Sequence, residues 1–341
     1  MSNFAFKCSP IYVIIFKMRF RRVRQNMELS LLGRTGLKIS RLIFGALPMG
    51  PLQGDLSVEF GAELLRKAFD LGINFVDTAE SYGTYSHIKE ALKGNENRVY
   101  VATKSTAHDF SGMEASVHRA LKEMALEQID VFHLHAARTR IPFEERKGAF
   151  ECLLKCKEKG LVRSIGISTH SIKAVRDAAL VEEIDVIHPL INKEGMGIID
   201  GTAKEMMDAI AFAASRGKGI YAMKALAGGY FMRDAWEAFN YVKSSPYIHG
   251  VAVGMVSFEE LKANARFFSE EEISIESMGQ LQKEEKRLII LGFCKGCGKC
   301  VKACPNNALR LVDGKSVVNP EICILCGYCN PVCPEFAIRV V

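Results

Sequence analysis

From residue 40 to residue 270 the chain alternates between two kinds of apolar pattern. Short, nearly continuous apolar runs stand at 41–46 (RLIFGA), 74–79 (NFVDTA), 99–104 (VYVATK), 129–136 (IDVFHLHA), 162–168 (VRSIGIS), 185–191 (DVIHPLI), 219–226 (GIYAMKAL) and 250–255 (GVAVGM). Between them lie segments such as VEFGAELLRKAFDLG, MEASVHRALKEMALE and TAKEMMDAIAFAASRG, whose apolar residues recur at three- and four-residue steps. Continuous runs suit strands buried on both faces, and the three-to-four step suits helices with one apolar stripe. Eight strands alternating with seven or eight helices predict a (β/α)8 TIM barrel over residues 28–268. An open doubly wound sheet is the rival. It opens on a glycine-rich turn of the G-x-G-x-x-G kind, and GALPMGPLQG after the first run does not match it.

The pattern changes beyond the barrel. Residues 269–291 are highly charged and predict a helical connector, and residues 292–341 form a small cysteine-rich α+β domain. Eight of the 11 cysteines fall between 294 and 333, in two copies of C-x-x-C-x-x-C-x-x-x-C-P at 294–305 and 323–334. Three thiolates on a tight loop can hold three irons of a cubane cluster, and the fourth turns away to the other cluster. Cys294, Cys297, Cys300 and Cys333 are therefore assigned to one 4Fe-4S cluster, and Cys323, Cys326, Cys329 and Cys304 to a second. Zinc knuckles would use two C-x-x-C pairs per metal, and four ligands per half at the repeated 2-2-3 spacing fit iron–sulfur chemistry better. The segment resembles the bacterial two-cluster ferredoxins over its whole length. Cys152 and Cys156, four apart on a helical segment, read as buried structural thiols.

Charge narrows the partners. Lys7, Lys17, Arg19, Arg21, Arg22 and Arg24 lie in residues 1–26 with no acid, and these six charges equal the whole formal excess of +6. The rest of the chain sums to zero, so no basic stripe for nucleic acid is expected on the folded part. The arm 1–27 has too short an apolar run for a signal peptide or a membrane span. It is expected to be disordered or not native, with Met27 as the natural start and the cytoplasm as the location. Oligomeric state is not legible.

Functional groups in such barrels gather at the carboxyl ends of the strands. Those ends carry Asp77, Tyr82 in the following loop, Lys104 and His135. Taken singly, each has an ordinary structural explanation. Together they make one device. A hydride arriving at a carbonyl carbon leaves an oxyanion that a proton must quench, and Tyr82 can donate it. A phenol is a weak acid near pH 7, so Lys104 is expected to lower its pKa, Asp77 to hold Lys104, and His135 to orient the carbonyl oxygen. A metal site built from His133, His135 and His188 is a weaker alternative, because no carboxylate ends the eighth strand.

The stretches LGRTGLKISRLIFGA, GINFVDTAESYG, VATKS, IDVFHLHA, VRSIGIST and AVGMVSFEELKAN resemble the aldo/keto reductases in order and spacing. With the cysteine tail, the chain resembles the branch carrying C-terminal 4Fe-4S repeats. The resemblance implies a nicotinamide cofactor across the barrel mouth and a small carbonyl or alcohol substrate. It implies cofactor contacts from Ser168, Thr169, His188 and Asn192, from the loop beginning at Lys224, and from Gly254, Ser257, Glu260 and Asn264. Thr169 stands where many members have Asn, and His188 where Gln is common. Members preferring NADPH place Lys or Arg in the last loop, whereas Gly254, Met255 and Glu260 stand here; NAD(H) is therefore favoured over NADP(H).

Two other readings stay open. The chain could be an electron-transfer or redox-sensing protein with the barrel as scaffold, or a barrel metallohydrolase. A hydride carries two electrons and a cluster one, and flavin, the usual bridge, has no signature here. The clusters are then structural, exchange electrons with an external carrier, or serve a substrate or bound flavin.

Overall fold

A computed structural model of the chain describes residues 27–137, 142–269, 287–304, 307–323, 329, 332–335 and 337–340. The arm at 1–26, most of the connector (270–286) and Cys326 lie outside the described residues.

The first element is an antiparallel hairpin, β1 (Leu29–Leu31) with β2 (Lys38–Ser40). Its apolar positions are too few to announce a strand pair. Their role is tertiary. Leu32, Leu37 and Ile39 are buried against Ile43, Phe75, Ala102, Val131, Val186 and Tyr221, so the hairpin plugs the amino-terminal end of the barrel. Truncating Leu37 to Ala would cost about 2–5 kcal/mol.

The eight expected runs are the eight barrel strands. They are β3 (Leu42–Gly45), β4 (Phe75–Asp77), β5 (Tyr100–Ser105), β6 (Ile129–Leu134), β7 (Val162–Thr169), β8 (Val186–Pro189), β9 (Gly219–Met223) and β10 (Gly250–Gly254). All pair in parallel, and β10 closes on β3 with Val251 opposite Leu42. That closure removes the doubly wound alternative. The helices on the outside are α1 (Val58–Asp70), α2 (Tyr85–Leu92), α3 (Phe110–Met124), α4 (Pro142–Glu145), α5 (Lys147–Glu158), α6 (Ile172–Leu180), α7 (Ala203–Ser215), α8 (Ala235–Lys243) and α9 (Phe258–Phe268). Several start on a side-chain cap, as where Ser57 accepts from the Phe60 amide and Thr202 forms a capping box with Glu205. Such caps satisfy amides that the first helical turn leaves without partners.

The C-terminal unit has β11 (Leu288–Ile290), α10 (Lys299–Ala303), β12 (Leu309–Val312), β13 (Lys315–Val318) and β14 (Ile338–Val340). β12 and β13 form a hairpin, and β11 pairs antiparallel with β14, placing Ile289 opposite Arg339. Leu288–Ile290, expected in the helical connector, is thus a strand of this unit. Its apolar triplet buries Leu288 beside Cys300, Leu309, Cys329 and Ile338, a contact that residue spacing alone does not reveal.

The last strand docks on the barrel at the loop after β9. Gly228 and Gly229 there have φ of +68° and +97°, and a Cβ on Gly229 would come 2.9 Å from the Val340 Cβ. Only glycine permits both that backbone and that approach. Among the described residues no helix is long and apolar enough to cross a membrane.

Candidate active site

At the carboxyl ends of β4 and β5, Lys104 donates to the Asp77 carboxylate at 2.6 Å and to the Thr78 carbonyl at 2.7 Å. Both residues are almost fully buried. The lysine ammonium also lies 5.0 Å from the centre of the Tyr82 ring. His135, just past β6, meets that ring edge-on, with centroids 5.8 Å apart. The four expected residues therefore converge on one spot, although they come from three strand ends.

Burial decides their protonation. Desolvation raises the Tyr82 pKa, and the Lys104 cation only opposes it. Lys104 lowers the phenol pKa as expected, but the net shift is upward, because removing water penalises tyrosinate more than one cation compensates. Tyr82 is a protonated donor at neutral pH. Burial, with Lys104 adding to it, pulls His135 down to about 3, so its imidazole is neutral.

Beneath this group runs a polar chain that the strand ends did not reveal. Tyr221, on β9, donates to Asp77 Oδ1 at 2.7 Å, since a carboxylate can only accept. Its oxygen in turn accepts from His133 Nε2 at 2.7 Å. Tyr221 was legible only as a strand residue. Its inward aim follows from alternation, but its partners lie on β4 and β6. His133 serves this chain, His188 donates from Nδ1 to the Tyr221 carbonyl at 2.7 Å and stacks on its ring, and His135 faces Tyr82. The three histidines of the metal alternative are engaged in separate roles. Among the described residues no group of His, Cys, Asp or Glu could hold a single metal ion.

Arg146, at the start of α5, was also missed. Its guanidinium donates to the carbonyls of Ala107, His135 and Ser105 at 2.7–2.9 Å. It ties the backbone that carries Lys104 to the backbone that carries His135. Nothing in its sequence context marks it.

A pocket of about 1100 Å³, counted with its open mouth, runs from this group across the ends of β9, β10 and β3. Its wall includes Asp77, Tyr82, His188, Lys224, Gly254 and Glu260. The other expected cofactor contacts are placed differently. Ser168 accepts from the Ala136 amide, Thr169 donates to the Ala137 carbonyl, and Asn192 clamps both backbone groups of Met196. All three are buried and absent from the pocket wall. Ser257 caps α9 by accepting from the Glu260 amide, and Asn264 sits two turns along that helix, also off the wall. Glu260 accepts from the Val256 amide at 2.9 Å. The wall also contains Arg339 and Val340, brought by β14 of the C-terminal unit.

In that unit, Cys294, Cys297, Cys300 and Cys333 line one small cavity, the set assigned to the first cluster. Cubane ligands bind different irons, so they need not crowd round one metal centre. Backbone amides point at the sulfurs: Gly296 at Cys294, Ala308 at Cys304 and Ala337 at Cys333. The last two bonds are each 3.2 Å and each join a crossing cysteine to the residue four later. The duplication seen in the spacing is thus repeated in the hydrogen bonding. Donors aimed at sulfur fit thiolates better than thiols, because they stabilise negative charge. Of the second set, Cys304, Cys323 and Cys329 fall within or against the small apolar core.

The "Aldo/keto reductase family" model matches residues 41–238, more than half of the chain. The chain belongs to the aldo/keto reductase family. A 4Fe-4S dicluster domain matches residues 293–338, so this aldo/keto reductase carries a ferredoxin-type C-terminal unit. It is 27% identical to L-galactose dehydrogenase of Arabidopsis thaliana over 76% of this chain and 92% of that protein. It is 28% identical to Probable aldo-keto reductase 1 of Glycine max, over 49% of this chain and 57% of that one. A solved structure of a putative aldo-keto reductase from Pseudomonas aeruginosa superposes with a TM-score of 0.64 at 25% identity, over 74% of this chain and 98% of that one.

Proposed function

We propose that this aldo/keto reductase interconverts a small carbonyl and its alcohol, with Tyr82 as the general acid and base. The convergence of Tyr82, Lys104, Asp77 and His135, with Asp77 and Tyr82 on the wall of a large pocket, carries this reading. A nicotinamide bound in that pocket supplies the hydride for reduction, or accepts it in the reverse direction.

The chain's own residues do the rest. Tyr82 holds its proton until a carbonyl oxygen gains negative charge, then donates it to that oxygen. Lys104, anchored by Asp77, stabilises the tyrosinate left behind. Neutral His135 donates a hydrogen bond to the same oxygen and does not compete as an acid. Tyr221 and His133 keep Asp77 in place from below. His188 and Lys224 line the wall that would hold the nicotinamide end, and Gly254 and Glu260 the far end. Ser168, Thr169 and Asn192 act through the backbone they brace. The Glu260 carboxylate on the pocket wall would repel a 2′-phosphate bound beside it, which supports NAD(H) over NADP(H).

The eight cysteines would hold two 4Fe-4S clusters, which supply one-electron storage when bound. An external electron carrier is their proposed partner. Anaerobic purification followed by titration with NADH and NADPH, read by fluorescence, tests the assignment. Tight binding of either, with carbonyl-dependent oxidation that Tyr82→Phe sharply lowers, is expected. Absence of any dinucleotide binding sinks it in favour of a barrel that only scaffolds the clusters.

A further inference from the structure

The pocket is not built by the barrel alone. Its wall near Tyr82 includes Arg339, from the last strand of the ferredoxin-type unit. Arg339 is only 7% exposed and donates to the Ile338 carbonyl at 2.7 Å. Its side chain lies along the Gly228 backbone, where a Cβ would come 3.3 Å from its Nη1. The glycine pair thus lets a cation from another unit reach the barrel site.

Four charged side chains lie on the wall, Asp77 and Glu260 against Lys224 and Arg339. The Asp77 carboxylate is already engaged by Lys104 and Tyr221. Glu260 lies on α9 and accepts from a backbone amide there. Lys224 and Arg339 add positive charge, with Lys224 Nζ 3.2 Å from His170 Nε2. Burial lowers the Arg339 pKa only to about 10, so the guanidinium stays charged, and Tyr82 lies within its electrostatic reach. A buried cation beside a proton donor favours an anion next to the reacting oxygen, and a guanidinium matches a carboxylate with two parallel hydrogen bonds. The remaining wall, with Met223, Leu226, Met232 and Phe239, is apolar.

We propose that Arg339 is a specificity-determining residue and that the substrate is a small oxo acid, or the matching hydroxy acid, whose carboxylate it grips. The carboxylate is a handle and changes no bond. This inference rests on the carbonyl-reductase reading and deepens it. It also gives the ferredoxin-type unit a role in substrate choice that does not need electron transfer.

The test uses the full-length protein with its clusters in place. Oxalate, an unreactive carboxylate, is titrated by calorimetry onto wild type, Arg339→Lys and Arg339→Leu, with and without dinucleotide. Turnover is compared for phenylglyoxylate and phenylglyoxal, which differ in the carboxylate. In Arg339→Leu, oxalate affinity should fall and the phenylglyoxylate KM should rise by about tenfold or more. The phenylglyoxal KM and dinucleotide affinity should hold, and Arg339→Lys should lie between. Unchanged oxalate affinity, equal losses for both substrates, or loss of dinucleotide affinity instead would overturn the proposal. The last result would assign the cation to the cofactor phosphates. Visible cluster absorbance reports whether Arg339→Leu stays folded; should it not, Arg339→Lys carries the decision, and wild-type preference for the neutral substrate overturns the proposal independently. If dinucleotide fails to bind at all, the reductase reading fails, while oxalate titration without it still decides the role of Arg339.

Discussion

In the barrel, Asp77, Tyr82, Lys104 and His135 come from three strand ends and meet through side-chain contacts. In the C-terminal unit, Cys294, Cys297 and Cys300 lie within seven consecutive residues and are joined by only one distant ligand, Cys333. The barrel site lies above a polar chain inside a large apolar core. The cysteine site has a small core to which the ligands themselves contribute. One site is tuned by burial, which keeps Tyr82 protonated and His135 neutral. The other is assembled by ligands whose binding to iron would supply much of the folding energy. Removing the Tyr82 hydroxyl should therefore damage chemistry and spare the fold. Removing a cysteine should damage the fold of its unit and reach the chemistry through the shared pocket wall.

Cysteine replacement should have the largest effect. Cys300→Ala is expected to cut iron content from about eight to about four per chain or fewer. It should also loosen the C-terminal unit and raise the KM of the barrel reaction, because Arg339 and Val340 lose their anchor. Iron analysis and limited proteolysis would read this out; full iron content would break the assignment of Cys300. Next, Tyr82→Phe should lower kcat by about 10²–10⁴-fold, the range of general acid catalysis, and leave cluster absorbance untouched. Retained kcat would move the acid role elsewhere.

Arg146→Leu sharpens the comparison from within the barrel. It leaves one buried and two part-buried carbonyls without their donor, so a loss of about 2–4 kcal/mol in stability is expected. Its kcat should fall more than its dinucleotide affinity, since the tied segments carry Lys104 and His135 and not the cofactor wall. Urea midpoints with steady-state kinetics separate the two effects.

Acid should distinguish the units more gently. His135 is depressed from 6.5 to about 3, and burial holds His133 and His188 well below 6.5 as well. As pH falls below about 6.5, the unfolded chain binds protons that the folded barrel refuses, so barrel stability declines toward pH 3. Above that window these histidines are neutral in both states and the effect vanishes. Residues 292–341 contain no histidine, so this term is absent there. Denaturation of wild type and His133→Gln between pH 7.5 and 4.5 should give a shallower slope in the variant. The smallest expected effect is none: NADH without added flavin should leave cluster absorbance intact on the timescale of turnover. Rapid anaerobic bleaching would show direct coupling of the two centres.

Much of this molecule was readable before folding. The barrel strands were legible because a strand buried on both faces must be continuously apolar. The candidate cluster cysteines were legible because a cubane imposes its spacing on a short loop. The four residues proposed as catalytic could be picked out because strand ends in a barrel all face one mouth. The N-terminal plug, the strand at Leu288–Ile290 and the docking of β14 were not, since each exists only by packing on residues far away in sequence. Ser168 and Thr169 close β7 and Asn192 follows β8, but only tertiary structure shows that their polar atoms brace backbone and are off the pocket wall.

Residue order alone determined the two architectures, the repeated cysteine spacing and the polar group at the barrel mouth, because periodicity, spacing and strand-end position are local properties. Tertiary structure alone decided the protonation of Tyr82 and His135, because desolvation depends on everything that surrounds a group. It also decided that Tyr221 supports Asp77 and that Arg339 crosses from one unit to complete the other's pocket. Contacts between residues separated by many elements leave no periodic trace in the chain.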